Sequence, residues 1–358
     1  VSTFLILDIG AGTLDLLYFD SEGPMHYKAV CRSPVLTIAE EIRALHGDIL
    51  VTGREMGGGS VSQALKAKAE SSRVVMSESS AATIHHDPER VRSHGIEVVV
   101  DEEAEALKGS KGFSHVVTTD VEPDRLRLLV EGLGVPFDFD VIGVCAQDHG
   151  VAPKGVSHLD YRHNLFRRAL DRDPALENLV YPADRVPDTF NRLKSLAEEA
   201  GELPAREVYV MDSGMAAILG ASLDPEARVH SRILVLDAAT SHTVGASLED
   251  GVLAGFFEYH TSDVTLSRLE GLLHELADGS LTHESVLAEG GHGAYIRKPV
   301  GFDNVDCIVA VGPKRAMVAG SRLPVRPGAP MGDNMMTGTL GVLEAVYRRK
   351  RLGSAPVD

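Results

Sequence analysis

A hairpin signature that occurs twice constrains this chain more than any other feature. The apolar run Phe4-Leu5-Ile6-Leu7 ends in Asp8-Ile9-Gly10-Ala11-Gly12-Thr13. Leu14, Leu16, Tyr18 and Phe19 then suit a returning strand, with Asp15 and Asp20 as polar breaks. Arg232-Ile233-Leu234-Val235-Leu236 ends in Asp237-Ala238-Ala239-Thr240-Ser241-His242-Thr243 and returns through Val244-Gly245-Ala246-Ser247-Leu248. A strand that delivers a carboxylate into a turn of small residues with a Thr has the parts of a phosphate-handling loop. Glycine takes positive φ at little steric cost and lets backbone N–H groups approach an anion. The leading Asp can hold Mg²⁺ through water, because that ion prefers oxygen ligands and dehydrates reluctantly. Either hairpin alone reads equally well as an ordinary Gly turn with solvated carboxylates. Two of them predict an internal duplication.

Length and composition narrow the classes. With 358 residues, roughly two domains of about 150 each are expected, and 44% hydrophobic residues suffice for two cores. Helix-like stretches alternate with strand-like ones, which predicts α/β. A net charge of −17 opposes broad nucleic-acid binding, which needs basic surface. Cys31, Cys145 and Cys307 are few, scattered and odd in number, as for reduced thiols in a cytoplasmic protein. No apolar run approaches the roughly 18 residues of a membrane span. The first residues read as a core strand rather than a signal peptide.

The paired hairpins resemble the ASKHA superfamily of sugar kinases, acetate kinases, heat-shock chaperone ATPases and actins. Three further segments extend the resemblance, in the superfamily's order. Val141-Ile142-Gly143-Val144-Cys145-Ala146-Gln147-Asp148-His149-Gly150 resembles the strand and turn of the FGGY sugar kinases. Asp212-Ser213-Gly214-Met215-Ala216-Ala217-Ile218-Leu219-Gly220-Ala221 resembles the connecting helix, where small residues let two helices pack closely. Ile308-Val309-Ala310-Val311 followed by Gly312-Pro313-Lys314-Arg315 resembles the adenosine-binding turn.

That resemblance implies an α/β fold of two ribonuclease-H-like domains of the actin-like ATPase type, facing a central cleft that holds ATP and Mg²⁺. Residues 1–200 would form the first domain, with a terminal helix in 334–352 packing back on it, and residues 201–333 the second. Asp8 and Asp237 would orient the metal. Gly10, Gly12, Thr13, Asp15, Thr240 and Ser241 would handle phosphates, and Gly312, Lys314 and Arg315 the nucleoside. Asp212 would be the general base, with Ser213 in its place if the register slips by one residue. Gln147, Asp148 and His149 would meet the substrate. The whole chain also resembles a prokaryotic family labelled pyruvate formate-lyase activating enzyme. An activase of that kind needs a Cys-x-x-x-Cys-x-x-Cys cluster, which this sequence lacks, so radical chemistry by this chain alone is not expected.

Local reading adds the rest. Asp48–Gly53 reads as a strand running into Gly57-Gly58-Gly59, which opens a helix over Val61–Ala69 with Ser60 as N-cap. A Gly-rich turn at a helix N-terminus attracts anions, so Gly57 and Gly58 are assigned to substrate. His260 and His292 sit in polar or Gly-rich surroundings and are substrate candidates, or else surface loop histidines. His85-His86-Asp87 reads as a turn, with no second pair at metal-ligand spacing. Leu126–Val130 and Val141–Val144 read as strands. Ile38–Leu45, Pro187–Ala200, Leu266–Leu276 and Thr339–Arg349 read as helices.

Ala238 and Ala239 stand where the family usually has Gly. A positive φ there would cost roughly 1–2 kcal/mol, and their methyl groups would crowd a γ-phosphate. Pro313 removes a backbone donor from the adenosine turn. Three functions therefore stand. One is an ATP- and Mg²⁺-dependent phosphotransferase on a small-molecule metabolite. Another is an ATP-driven, chaperone-like protein that reactivates a partner enzyme. The third is a binding protein that has lost nucleotide. No nucleic-acid or membrane partner is expected, and a homo-oligomer stays open.

Overall fold

The central strand of the first sheet, β1 (Thr3–Ile9), is apolar on both faces, and Phe4 to Leu7 are fully buried. In the computed structural model, which describes residues 2–23, 26–110 and 112–356, it pairs antiparallel with β2 (Thr13–Asp20), and β2 with β3 (His26–Arg32). The chain then leaves this sheet. β4 (Asp48–Gly53), β5 (Val74–Ser77), β6 (Glu97–Val99) and β7 (Phe113–Thr118) form a separate parallel sheet in the order β6-β5-β4-β7. This small sheet has its own core, with Val51, Val61, Leu65 and Met76 buried. β8 (Phe139–Ala146) returns beside β1 in parallel, followed by β9 (Val180–Pro182) and β10 (Ala205–Asp212), giving the order β3-β2-β1-β8-β10-β9.

The last third of the chain repeats that plan. β11 (Arg232–Ala238), β12 (His242–Glu249), β13 (Val252–His260), β14 (Gly293–Ile296), β15 (Cys307–Val311) and β16 (Val325–Pro327) take the order β14-β13-β12-β11-β15-β16. In both sheets three consecutive strands pair antiparallel, β1-β2-β3 and β11-β12-β13, and the first of them then pairs in parallel with a strand from later in the chain. This is the ribonuclease-H-like arrangement, present twice, and the fold is α/β of the actin-like ATPase type.

Two helices cross between the sheets. Ser213–Ser222 follows β10 and Thr337–Arg349 packs along it, while also touching β1 and β8. Their crossing depends on Gly220 and Gly341. A methyl group on Gly220 would overlap the Thr337 carbonyl, and one on Gly341 the Ala216 carbonyl.

Three local expectations are corrected. Residues 126–130 are helical, inside Pro123–Gly132: Pro123 fixes the first turn, and Leu126 and Val130, four apart, are buried while Leu128 is exposed. The helix after Gly57 spans Gly59–Ala69 with Gly58 at the cap, so Ser60 lies inside it. The helix expected from Pro187 begins at Asn191, beyond a turn closed by the Phe190 N–H donating to the Pro187 carbonyl.

Candidate functional site

The two turns are built alike. The Gly10 N–H donates to the Thr13 carbonyl at 3.0 Å, and the Ala239 N–H to the His242 carbonyl at 3.1 Å. Asp8 faces Asp15 across the first hairpin, and Asp237 faces Val244 across the second. The turns therefore correspond residue for residue, with Thr240 matching Ala11, Ser241 matching Gly12, and His242 matching Thr13. They also meet: a methyl group on Gly12 would lie 3.2 Å from Thr240 Oγ1. Neither Ala238 nor Ala239 has a positive φ, so the strain weighed from the sequence is absent. Ala238 is buried with its carbonyl accepting from the Lys314 N–H, and Ala239 faces the cavity described next.

A cavity of about 590 Å³ lies between the sheets, within the size range of small-molecule sites. From the turns it is lined by Asp8, Gly10, Thr13, Asp15, Asp237, Thr240 and Ser241. Gly312 and Pro313 line it beside β11. Lys314 and Arg315 do not: Lys314 is exposed, and the Arg315 guanidinium donates to the Gly328 carbonyl. The other end is lined by Glu55 to Gly59 and Ala82 to His86 of the inserted sheet, with His158 and Arg192.

Three acids meet here with little positive charge. Burial pushes the carboxyl of Asp8 up to about 6, with Cys145 and Arg192 opposing, and that of Asp237 up to about 7, with Asp8 adding to it. Asp15 rises to about 8 through burial and then through Asp8, and its Oδ1 is buried without a partner. Gly338 makes room for Asp8, since a methyl group there would overlap the carboxylate. Hard oxygen donors gathered at one cavity, with burial raising all three carboxyls and little positive charge beside them, fit a divalent ion bound largely through water.

Asp212 is placed otherwise than expected. Its carboxylate caps the Ser213–Ser222 helix, accepting from Gly214 N at 3.0 Å and Met215 N at 3.4 Å, and it also accepts from Asp148 N at 3.2 Å. Arg162 Nη2 donates to both its oxygens, at 3.2 and 3.0 Å. It is buried and does not line the cavity, so it has no lone pair free to take a proton from a substrate. Ser213 does line the cavity. Asp148 is likewise internal, accepting from Gly150 N and Leu193 N, with burial raising it to about 6. The other guanidinium arm of Arg162 pairs with Glu258, which also accepts from Gln147 Nε2 at 2.6 Å. Burial alone would raise Glu258, but Arg162 and His292 hold it well below the usual carboxylate range.

Gln147, His149 and His260 line the cavity, as do Gly57 and Gly58. Arg192 is held by Asp120 at 2.7 and 3.1 Å and donates to the Gln147 carbonyl. Glu55 accepts from His86 at 3.0 Å and from Asn191. His292 lies behind His260, buried, with its Nδ1 3.7 Å from Glu258 Oε1. Sequence reasoning passed over Arg162, Arg192, Glu55 and Glu258, which show only when distant segments meet. It also passed over His242, whose pairing with His260 needed the hairpin register.

A family model described as "Putative pyruvate format-lyase activating enzyme (DUF1786)" matches residues 56–317. No curated protein matches. Among solved structures the chain is similar to the ROK hexokinase from Thermus thermophilus, at 14% identity over 98% of this chain and 100% of that one, with a TM-score of 0.34. It is also similar to component A of the (R)-2-hydroxyglutaryl-CoA dehydratase of Acidaminococcus fermentans, at 10% identity over 98% and 99%, TM-score 0.33. The PilM-PilN type IV pilus biogenesis complex matches at 12% identity over 96% and 97%, TM-score 0.38.

Proposed function

The chain belongs to the DUF1786 family, and from the geometry of its cleft we propose that it binds Mg·ATP between the two hairpin turns and passes the terminal phosphoryl group to a small acceptor. One observation carries this reading: the matched turns converge on one cavity lined by Asp8, Asp15 and Asp237, none of which forms a salt bridge among the described residues. Asp8 and Asp237 would hold the ion. Thr13, Thr240 and Ser241 would donate hydroxyls to phosphate oxygens, and the backbone of Gly312 and Pro313 would flank the nucleoside. An ion held by Asp8 and Asp237 would neutralise charge on the transferred group, and positioning by the turns would supply most of the remaining rate. The arm of the cavity at Glu55, Gly57, Gly58, His86 and Arg192 offers the acceptor both hydrogen-bond donors and acceptors.

The engagement of Asp212 favours a second reading, in which ATP hydrolysis drives a conformational change in a partner protein. With Asp212 engaged, proton removal from a metabolite hydroxyl goes unassisted there, which suits slow, partner-gated hydrolysis better than rapid transfer to a metabolite. The label attached to the family implies an iron–sulfur centre, and the residues do not fit one. Cys31, Cys145 and Cys307 lie on β3, β8 and β15, in two different sheets, with Cys145 buried beside Asp8.

Titration calorimetry with ATP, with and without Mg²⁺, tests the proposal on the wild type and on Asp8→Ala. Magnesium-dependent binding that the variant loses supports it. Absence of binding at millimolar ATP sinks it. Turnover stimulated by a metabolite, as against a protein, separates the two readings.

A further inference from the structure

His242 opens β12, His260 closes β13, and the two are direct cross-strand partners. His292 precedes β14, and its N–H donates to the Glu258 carbonyl at 2.8 Å, which sets it one strand further along the same sheet edge. Three adjacent strands thus bring one imidazole each to one point. Ring centroids are 4.6 Å apart for His242 and His260, 4.9 Å for His242 and His292, and 4.3 Å for His260 and His292. One ring nitrogen from each lies within 4.8 Å of the others.

The packing around His292 is specific. Its neighbour Gly291 has no room for a side chain, since a methyl group would sit 2.5 Å from Val286 Cγ1 and 2.7 Å from Tyr259 Cζ. Gly293 has φ +117° and would strike His283. These glycines let the strand press His292 inward. His242 Nε2 is buried without a hydrogen-bond partner. A buried polar atom left unpaired is unfavourable, and two more imidazoles crowd against this one, so the cluster is a donor set that a lone-pair acceptor would satisfy.

We infer that His242, His260 and His292 form a three-imidazole site for a transition-metal dication of the zinc type. Imidazole suits Zn²⁺, Ni²⁺, Cu²⁺ and Fe²⁺ far better than Mg²⁺, which keeps oxygen ligands. Three histidines with a further position left open make the donor set of a catalytic zinc centre. Ligand nitrogens about 2 Å from an ion lie some 3–4 Å from one another, so closing the cluster takes a shift of about 1 Å. Glu258 stands against His292 Nδ1, as outer carboxylates do when they fix the tautomer of a metal-bound imidazole and leave its other nitrogen to coordinate. His242 and His260 line the cavity, so the open position faces it beside Thr240 and Ser241. The ligand it would take is an oxygen: water, or the carbonyl, carboxylate or phosphoryl oxygen of a substrate. Use of the site on a phosphoryl acceptor rests on the nucleotide reading; the metal site itself does not.

The test uses untagged protein freed of metal with a chelator and titrated with Co²⁺ without nucleotide. Visible absorption and elemental analysis are the readouts. The expected result is roughly one Co²⁺ per chain, with the intensified d–d bands of a low-coordinate nitrogen site, displaced by Zn²⁺. His260→Ala removes an exposed side chain and leaves the core alone. It should weaken binding by about a hundredfold or more, at least the cost of losing an outer-shell partner, with an unchanged circular dichroism spectrum. His242→Ala should do the same, and exposed His94→Ala nothing. Two results overturn the proposal. One is no saturable Co²⁺ binding by the wild type. The other is binding that survives both histidine variants, including binding lost only in Asp8→Ala. Failure to bind ATP in the calorimetry leaves this outcome untouched.

Discussion

Asp237 is a half-buried acid with no salt bridge among the described residues, and what it costs the fold is what it offers a ligand. Burial and Asp8 raise it to about 7. Asp237→Asn should therefore stabilise the protein by about 1 kcal/mol, as changes that relieve a strained functional group do, while weakening Mg·ATP at least about tenfold. Thermal denaturation and calorimetry on one sample check both halves, and a less stable variant with unchanged affinity would remove Asp237 from the site. Glu199 gives the pH dependence. Its Oε2 accepts from Asp120 N and Val121 N, its Oε1 has no partner, and burial followed by Asp120 raises it to about 8. The folded chain thus holds a proton that the unfolded chain releases near 4.5. This stability is complete below that value and is lost as pH rises through about 8. Glu199→Gln should gain about 1 kcal/mol or more on the wild type above pH 8 and little near pH 5; parallel denaturation curves at both pH values would refute the assignment. The carboxylates of the turns were legible because each follows an apolar strand directly. The role of Asp212 was not, because its partner Arg162 lies 50 residues away and is supplied by tertiary packing.

Elements with strong local signals were readable and the rest were not, for identifiable reasons. Leu266–Asp278 carries a long periodic apolar face, whereas Thr337–Arg349 is buried all round from Thr337 to Tyr347 and was marked by its length and its basic last turn. Leu126 to Val130 is an apolar run too short to fix a period, and only Pro123 marks it as a helix. Of the inserted sheet only β4 was legible, because β5 and β6 have four and three residues and the pattern does not repeat the hairpins. The helix crossing is the element on which the arrangement of the two large sheets most visibly depends. Gly341→Val places a branched side chain against the Ala216 carbonyl and should cost about 1–3 kcal/mol or more, the usual penalty for overpacking. Gly132→Ala, in open space at the end of Pro123–Gly132, should be neutral or slightly stabilising. Urea denaturation of the pair separates the two cases; equal effects would mean that the crossing tolerates a wider spacing.

At the scale of the molecule, Arg162 ties the two halves together beneath the cavity. It stands on the His158–Arg172 helix and reaches Asp212, at the end of the first large sheet, and Glu258, in the second. All three are buried, with Arg162 5% exposed, Asp212 2% and Glu258 4%. Charges taken out of water this far hold only while each is matched. Removing one partner strands the rest and costs about 3–5 kcal/mol, whereas removing all the charge is often neutral. Arg162→Met should therefore lose roughly that much. Adding Asp212→Asn and Glu258→Gln to it should restore a large part, because the stranded carboxylates disappear. If the network only stabilises, the triple variant regains ligand affinity along with stability. If it holds the two turns at their spacing, the triple variant folds but binds Mg·ATP more weakly, because the ion must then draw Asp8 and Asp237 together itself. Geometry favours the second outcome, since the same guanidinium joins Asp212 of the first large sheet to Glu258 of the second, and each sheet carries one of the turns that must close on one ligand. Stability restored together with full affinity would reduce Arg162 to a packing residue.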